Sequence, residues 1–331
     1  MLRVAAATDE LDTGFHSMAV IGDLADFSAA DPNDRSERDA GADASALDGW
    51  RRRIDARLEA RVAAHDDACP QLLEAMRYSL LAPGKRVRPL LAVLAALDAG
   101  GDGDAVLDFG CALEMVHCAS LMLDDLPCMD DAQTRRGRPA AHRRFGEATT
   151  TLAAIALLNH AYGVIARDQA LAPALRNTLV AETSGAVGTA GLVSGQSRDL
   201  ADRAGDLDRA AMDRINRQKT GVLFELAVTG AGRIAGLPAA RLDRLNRYAH
   251  HVGLAFQAAD DLLDAHRPGR ESGKDCGADR GKNGSVHDIG EDALRGRLLE
   301  ELRAADAELA AMRMPGGRLS RYVHTLFGPL L

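Results

Sequence analysis

From residue 46 onward, apolar positions recur every three or four residues, with charged faces between them and almost no β-branched alternation. The pattern predicts helices over 50–64, 106–123, 148–166, 207–229, 240–265 and 291–312. Proline and glycine fall mainly between these stretches, at Pro83-Gly84, Gly100-Gly101, Gly137, Pro173, Gly236-Leu237-Pro238 and Pro268-Gly269. No internal repeat of fixed period is present. The expectation is an all-α fold, one large domain of about ten helices over 46–331. Residues 1–45 are acidic, rich in Ala, Asp and Ser, and without an apolar period. A mobile N-terminal extension is expected there.

Composition then narrows the class. The chain has 331 residues, 47% hydrophobic, which is enough apolar material for a large core. Its apolar stretches read as broken by charge before the ~18 residues a membrane span needs, and no basic start precedes an apolar block. No integral membrane segment and a cytoplasmic location are therefore expected. A net charge of −8 argues against nucleic acid as the main partner. The five cysteines, Cys69, Cys111, Cys118, Cys128 and Cys276, form no CxxC pair, so free thiols in a reducing compartment are expected. Only four of the 40 basic residues are lysines: Lys85, Lys219, Lys274 and Lys282. In a chain that otherwise uses Arg, each of them needs a reason.

Two acidic clusters carry the chemistry. The first is Asp124-Asp125-Leu-Pro127-Cys-Met-Asp130-Asp131, directly behind an apolar run and followed by Arg135-Arg136-Gly137. Like charges at this spacing repel, and a hard divalent cation is the usual remedy. Pro127 should end the helix, so that Asp130 can turn back towards Asp124. Carboxylates, metal and arginines together suit a diphosphate, because Mg²⁺ bridges carboxylate to phosphate and Arg grips phosphate in bidentate fashion. The second cluster holds Gln257, Asp260, Asp261 and Asp264. Asp260 and Asp264 are four apart, hence neighbours on one helix face. Either cluster alone could be a solvated helix end. Two of them about 135 residues apart, each ending an apolar helix, could share metals across a cavity.

Lys85 lies in Pro83-Gly84-Lys85-Arg86-Val-Arg88, a turn with three positive charges that suits a second anionic group. Lys219 adjoins Thr220, and Lys274 and Lys282 flank a Gly-rich loop. A compact ammonium on a flexible stem suits a phosphate that moves or leaves. Any one of them could instead be a surface lysine. His117 is two turns before Asp124 on the same helix face, or else a core histidine.

The chain resembles the trans-isoprenyl diphosphate synthases from residue 46 to its end. The matching blocks are GKRVRP (84–89), HCASLMLDDLPCMDDAQTRRGRPAAH (117–142), FGEAT (145–149), GLVSGQSRDL (191–200), KTGVLF (219–224), FQAADDLLD (256–264) and GKDCGADRGK (273–282). The phrasing is most similar to bacterial geranylgeranyl diphosphate synthases of carotenoid and related pathways. The resemblance implies an all-α fold with a central cavity, a homodimer, and three Mg²⁺ ions. By position, Asp124, Asp130 and Asp260 would bind magnesium, with Asp125 and Asp264 supporting that shell. Arg135, Lys219, Thr220, Gln257 and Lys274 would hold the allylic diphosphate. Lys85, Arg88, His117 and Arg136 would hold isopentenyl diphosphate. Two departures stand out: Gly281-Lys282-Asn283-Gly284 replaces the usual Gly-Lys-x-Thr, and the C-terminus, HTLFGPLL, lacks a basic tail.

The reaction implied is ionisation of the allylic diphosphate, attack by the isopentenyl alkene inside a dry cavity, and proton loss to the released diphosphate. Product length follows from geometry. The growing tail should run along the helix above Asp124 at ~1.5 Å per residue, so Ser120 and Ala119, four and five positions earlier, form the floor. Both are small, which favours a twenty-carbon product, with Val116 and the 152–158 helix as candidates for the final stop. The competing readings are a farnesyl diphosphate synthase, a non-catalytic partner subunit, and a terpene cyclase. A subunit would be expected to lose acids from one cluster, and a cyclase lacks the GKR loop.

Overall fold

A computed structural model describes residues 35–63, 69–201, 209–265, 290–314 and 317–331. Among them run thirteen α-helices: α1 (Arg35–Arg61), α2 (Pro70–Leu80), α3 (Val87–Asp98), α4 (Leu107–Asp124), α5 (Ala141–Phe145), α6 (Glu147–Ala166), α7 (Pro173–Val187), α8 (Leu192–Ala201), α9 (Arg209–Asn216), α10 (Val222–Ile234), α11 (Ala239–Ala265), α12 (Glu291–Ala311) and α13 (Arg318–Phe327). A π-helical turn, Arg217–Gly221, joins α9 to α10. The only strands among the described residues are β1 (Thr134–Arg135) and β2 (Arg138–Pro139), a two-stranded antiparallel hairpin.

Local chemistry sets most boundaries. Pro70 and Pro173 occupy first-turn positions of α2 and α7, where a missing N–H costs nothing. Gly236, at φ +77°, ends α10 in a Schellman arrangement: its N–H reaches the Arg233 carbonyl, and Leu237 N–H reaches that of Gly232. Two expectations change. Helix α1 starts at Arg35, upstream of the boundary expected at 46, because alanine at 40, 42, 44 and 46 favours helix without any apolar period. Residues 1–34 lie outside the described residues. Helix α6 carries no charged side chain after Glu147, so charge does not interrupt this stretch. By length and composition alone it could cross a membrane. Here it packs against α4 and α2.

Helix α4 is central and is buried along almost its whole length, from Leu107 to Ala119. Helices α3, α6 and α10 pack on it, and α11 and α12 form a long pair on the far side of α10. The C-terminal helix α13 is tied to α3 by Asp98, whose carboxylate accepts from the Arg318 and Leu319 amides at 3.1 and 2.8 Å. Asp98 thereby serves as an N-cap supplied from another helix.

Gly230 on α10 sits so close to Phe109 of α4 that a Cβ placed there would overlap the ring. Gly230→Ala should therefore destabilise the fold by about 1–3 kcal/mol through overpacking, although alanine is the better helix former. Urea unfolding of the purified variant checks this.

Candidate active site

The last turn of α4 presents Asp124 and Asp125 at the end of the buried helix. The chain then turns at Leu126-Pro127, and the Asp130 amide donates to the Asp124 carbonyl at 2.9 Å. Asp130 thus returns to Asp124, as the proline predicts. Burial pushes the Asp124 carboxyl up to about 7, and the nearby Asp130 and Asp125 charges push it the same way, opposed by Lys219 and Arg135. Asp130 is raised by burial and by Asp199 and Asp125, again against Lys219 and Arg135. Four carboxylates and two cations from different elements meet here.

Arg135 reaches this cluster from β1. Its Nε lies 3.0 Å from Asp125 Oδ1, and Nη2 also bonds that oxygen, so the arginine fork grips Asp125 through two of its nitrogens. Asp125 is 2% exposed. Lys219 arrives on the π-helical turn and donates to Asp199 of α8 at 2.8 Å. Single π turns frequently mark functional positions, since the extra residue re-aims side chains. Gly195 lets α8 come this close, because a Cβ there would stand 2.6 Å from the Lys219 backbone nitrogen. Gln196, one residue on, is buried, and neither of its amide atoms is hydrogen-bonded among the described residues. Residue order alone assigns Gln196 and Asp199 no role; the signal that marks them is an i, i+3 pair of polar side chains on one helix face.

The second acidic cluster lies on α11. Asp260 and Asp261 are buried, and Gln257 Nε2 donates to Asp261 Oδ1 at 2.8 Å. Helix α11 packs against the π turn, where Gly253 approaches Gly221. The Asp264 side chain, Lys274, Cys276 and Lys282 lie outside the described residues.

A second cationic group lies beyond the hairpin. The tip, Arg136-Gly137, has both residues at positive φ (54° and 70°), as a type I′ turn requires. The turn sends Arg136 away from Arg135, so that Arg136 Nη1 points at the Ala82 carbonyl, 3.4 Å away. Arg88 of α3 is 4% exposed, lies 5.0 Å over the Phe224 ring, and has no hydrogen bond at Nε among the described residues. Burial, with Arg136 nearby, lowers its guanidinium to about 10. It stays charged at neutral pH. His117 is buried among Arg88, Arg136, Arg135 and Arg86, and burial with these charges holds its imidazole well below the ordinary value. Lys85 is half-buried beside them in sequence. Arg86 departs from the expected loop of three anion-facing charges: it turns inward and is used up on Asp55 and Glu114.

The donor set accepts a metal in one particular way. No three His, Cys, Asp or Glu side chains among the described residues close around a common point. Asp124 and Asp130 therefore suit a hard cation that draws most of its shell from water and substrate oxygens, as Mg²⁺ does at phosphate sites. An ion there would also return the Asp124 carboxyl to its ionised form.

Below Asp124, Ala119 is 2% exposed, and the half-buried Ser120 donates its hydroxyl to the His117 carbonyl at 2.9 Å. Val116, on the turn beneath, is buried. Cys111 and Cys118 on this helix are buried free thiols, with burial pushing Cys118 up to about 12.

Since His117 resists protonation when folded, the unfolded chain takes up a proton that the native state refuses. This lowers stability as pH drops below about 6.5, while the raised carboxyls of Asp124 and Asp130 act in the opposite sense, so His117→Asn should gain stability relative to the wild type on going from pH 7 to pH 5. Urea midpoints at pH 5 and 7 measure it. Inorganic diphosphate bound between the arginines should raise the His117 pKa, read by NMR of labelled histidine.

Comparison with known proteins identifies the family. The polyprenyl synthetase family profile matches residues 69–285, more than half of the chain. A geranylgeranyl diphosphate synthase of Pseudescherichia vulneris is 43% identical over 256 residues, covering 77% of this chain and 82% of that protein. One from Pantoea ananas is 43% identical over 257 residues, covering 76% and 83%. The crystal structure of an FPP/GFPP synthase from Zymomonas mobilis superposes with a TM-score of 0.76 at 30% identity, covering 87% of this chain and 98% of the other. The chain belongs to the polyprenyl synthetase family.

Proposed function

We propose that this protein is a geranylgeranyl diphosphate synthase, joining isopentenyl diphosphate to an allylic diphosphate. The observation that carries the reading is the separation of two cationic groups by the hairpin. One, Arg135 with Lys219, is interleaved with carboxylates. The other, Arg88 with Arg136 and His117, has no carboxylate bonded to it among the described residues. A leaving diphosphate needs metal as well as cations, whereas a diphosphate that stays on its substrate needs only to be held. The first group therefore takes the allylic diphosphate and the second, with Lys85, takes isopentenyl diphosphate. Thr220, Gln257 and Lys274 complete the allylic side.

Mg²⁺, which we place as three ions held by Asp124, Asp130 and Asp260 with Asp125 and Asp264 in support, would neutralise the departing diphosphate. Lys219 exchanges Asp199 for phosphate oxygen as substrate enters, and Asp125 keeps Arg135 aimed through its forked bond. Arg88, Arg136 and His117 fix the second substrate so that its alkene faces the allylic carbon, which is catalysis by positioning. The apolar walls of α4 and α10 keep water from the carbocation. No side chain is needed as base, because the released diphosphate takes the proton. Ala119 and Ser120 leave room beneath Asp124 for a chain longer than fifteen carbons. The buried thiols fit a reducing cytoplasm.

We also place a second copy of the chain on α6, where Leu152 and Ile155 are 59% and 49% exposed on the face opposite α4. The wild type should sediment as a dimer, and Leu152→Glu should shift it towards monomer.

Incubation with isopentenyl and farnesyl diphosphates and Mg²⁺ should yield a twenty-carbon product. A product that stops at fifteen carbons would overturn the reading in favour of a farnesyl diphosphate synthase. Asp124→Ala should lower kcat by about 10²–10³-fold, and chelation of the metal should abolish turnover. An unchanged rate in Asp124→Ala would mean that the carboxylate cluster is not catalytic.

A further inference from the structure

Arg86 is a charged residue that the reaction does not use, in a backbone conformation that arginine rarely adopts. It has φ +51° and ψ +43°, the left-handed region, directly before the first turn of α3. It is 4% exposed, and each arm of its guanidinium has a different acceptor. Nε donates to Asp55 of α1 at 2.7 Å, Nη1 faces Glu114 of α4 at 3.3 Å, and Nη2 donates to the Ala82 carbonyl at 2.9 Å. Glu114 is itself 2% exposed, three residues before His117 on the same helix. The Ala82 carbonyl that accepts from Arg86 is also the one nearest Arg136 Nη1. Arg86 therefore ties together the loop of Lys85 and Arg88, the helix of His117 and the hairpin tip of Arg136.

We propose that Arg86 and Glu114 are positioning residues for the second diphosphate. Their buried pair holds the loop in its left-handed turn so that Lys85 and Arg88, on either side, serve one anion. Glu114 is the counter-charge that lets an arginine occupy this place without competing for that anion. Without it the Nη1 arm, which faces the interior beside α4, would keep its charge with no acceptor, and Asp55, about half exposed, would be the only counter-charge left. The planar fork suits the task, since it reaches three acceptors at once where an ammonium would reach fewer. The inference rests on the placement of isopentenyl diphosphate given above.

Steady-state kinetics with each substrate varied at saturation of the other test it. Arg86→Gly accepts the left-handed backbone but removes the tether. It should raise KM for isopentenyl diphosphate about tenfold, with kcat within about twofold and the allylic KM unchanged. Arg86→Lys should recover part of the loss. Glu114→Gln should move the same KM in the same direction. The double variant Arg86→Gly with Glu114→Gln should be no worse than Arg86→Gly alone, because both act through one tether. An unchanged isopentenyl KM in Arg86→Gly overturns the proposal, as does a parallel loss in kcat and both KM values. If Arg86→Gly does not fold, Arg86→Lys gives the same split. Arg88→Met serves as the reference: if it leaves the isopentenyl KM unaltered, the placement of that substrate fails. If Arg88→Met raises it and the Arg86 variants do not, only the positioning role fails.

Discussion

The acidic end of α4 meets three opposing effects at once. Burial disfavours charge, neighbouring carboxylates repel, and the helix presents its own negative pole at that end. The first two effects raise the Asp124 carboxyl, against the pull of Lys219 and Arg135. Nothing within α4 can offset them, since the helix carries no Lys or Arg. The compensating charge has to come from elsewhere in the chain. Arg135 comes from the hairpin and Lys219 from the π turn, and each is itself fixed by a carboxylate, Asp125 or Asp199. The hairpin, α8 and the junction of α9 with α10 thus stand where this demand for positive charge puts them.

The hairpin resolves a second difficulty, which is that Arg135 and Arg136 are adjacent yet serve different surroundings. A helix would place neighbours about 100° apart on one rod, and a regular strand would put them on opposite faces of a longer sheet. The type I′ tip does more in two residues: it sends Arg135 back to Asp125 while Arg136 reaches the Ala82 carbonyl. Positive charge is thereby divided between a side where Arg135 and Lys219 are bonded to carboxylates and a side where, among the described residues, Arg88 and Arg136 are not, the nearby Glu114 being bonded to Arg86. In the proposed reaction this division decides which diphosphate leaves and which remains.

Much of this was legible from residue order. The helices over 106–123, 148–166, 240–265 and 291–312 appear within a residue or two of their expected limits, because their apolar stripes are local signals. The return of Asp130 follows from Pro127, and the scarcity of lysine pointed to Lys219. What escaped depends on partners distant in sequence. Arg86 reads as a third phosphate-facing charge until Glu114, 28 residues later, is seen beside it. Asp199 acquires a role only because Gly195 lets α8 touch the π turn, and no spacing rule announces that. The left-handed tip at Arg136 was missed because hairpin signals are strongest for Asn-Gly and Asp-Gly, and Arg-Gly carries only half of that signal.

Helix α13 contributes to the second cationic group by packing: Phe327, at its end, is fully buried. Its ring lies 5.0 Å from Phe256 of α11, which lies 4.7 Å from Phe224 of α10, whose face carries Arg88. Three aromatic rings from three helices thus form the wall behind one guanidinium. They exclude water from it, and in a low-dielectric surrounding a charge acts more strongly on whatever approaches. Arg88 remains protonated at neutral pH despite its lowered pKa. A cation kept dry and charged, with no carboxylate bonded to it among the described residues, is costly to the fold, a cost that the phosphate of the proposed second substrate would offset.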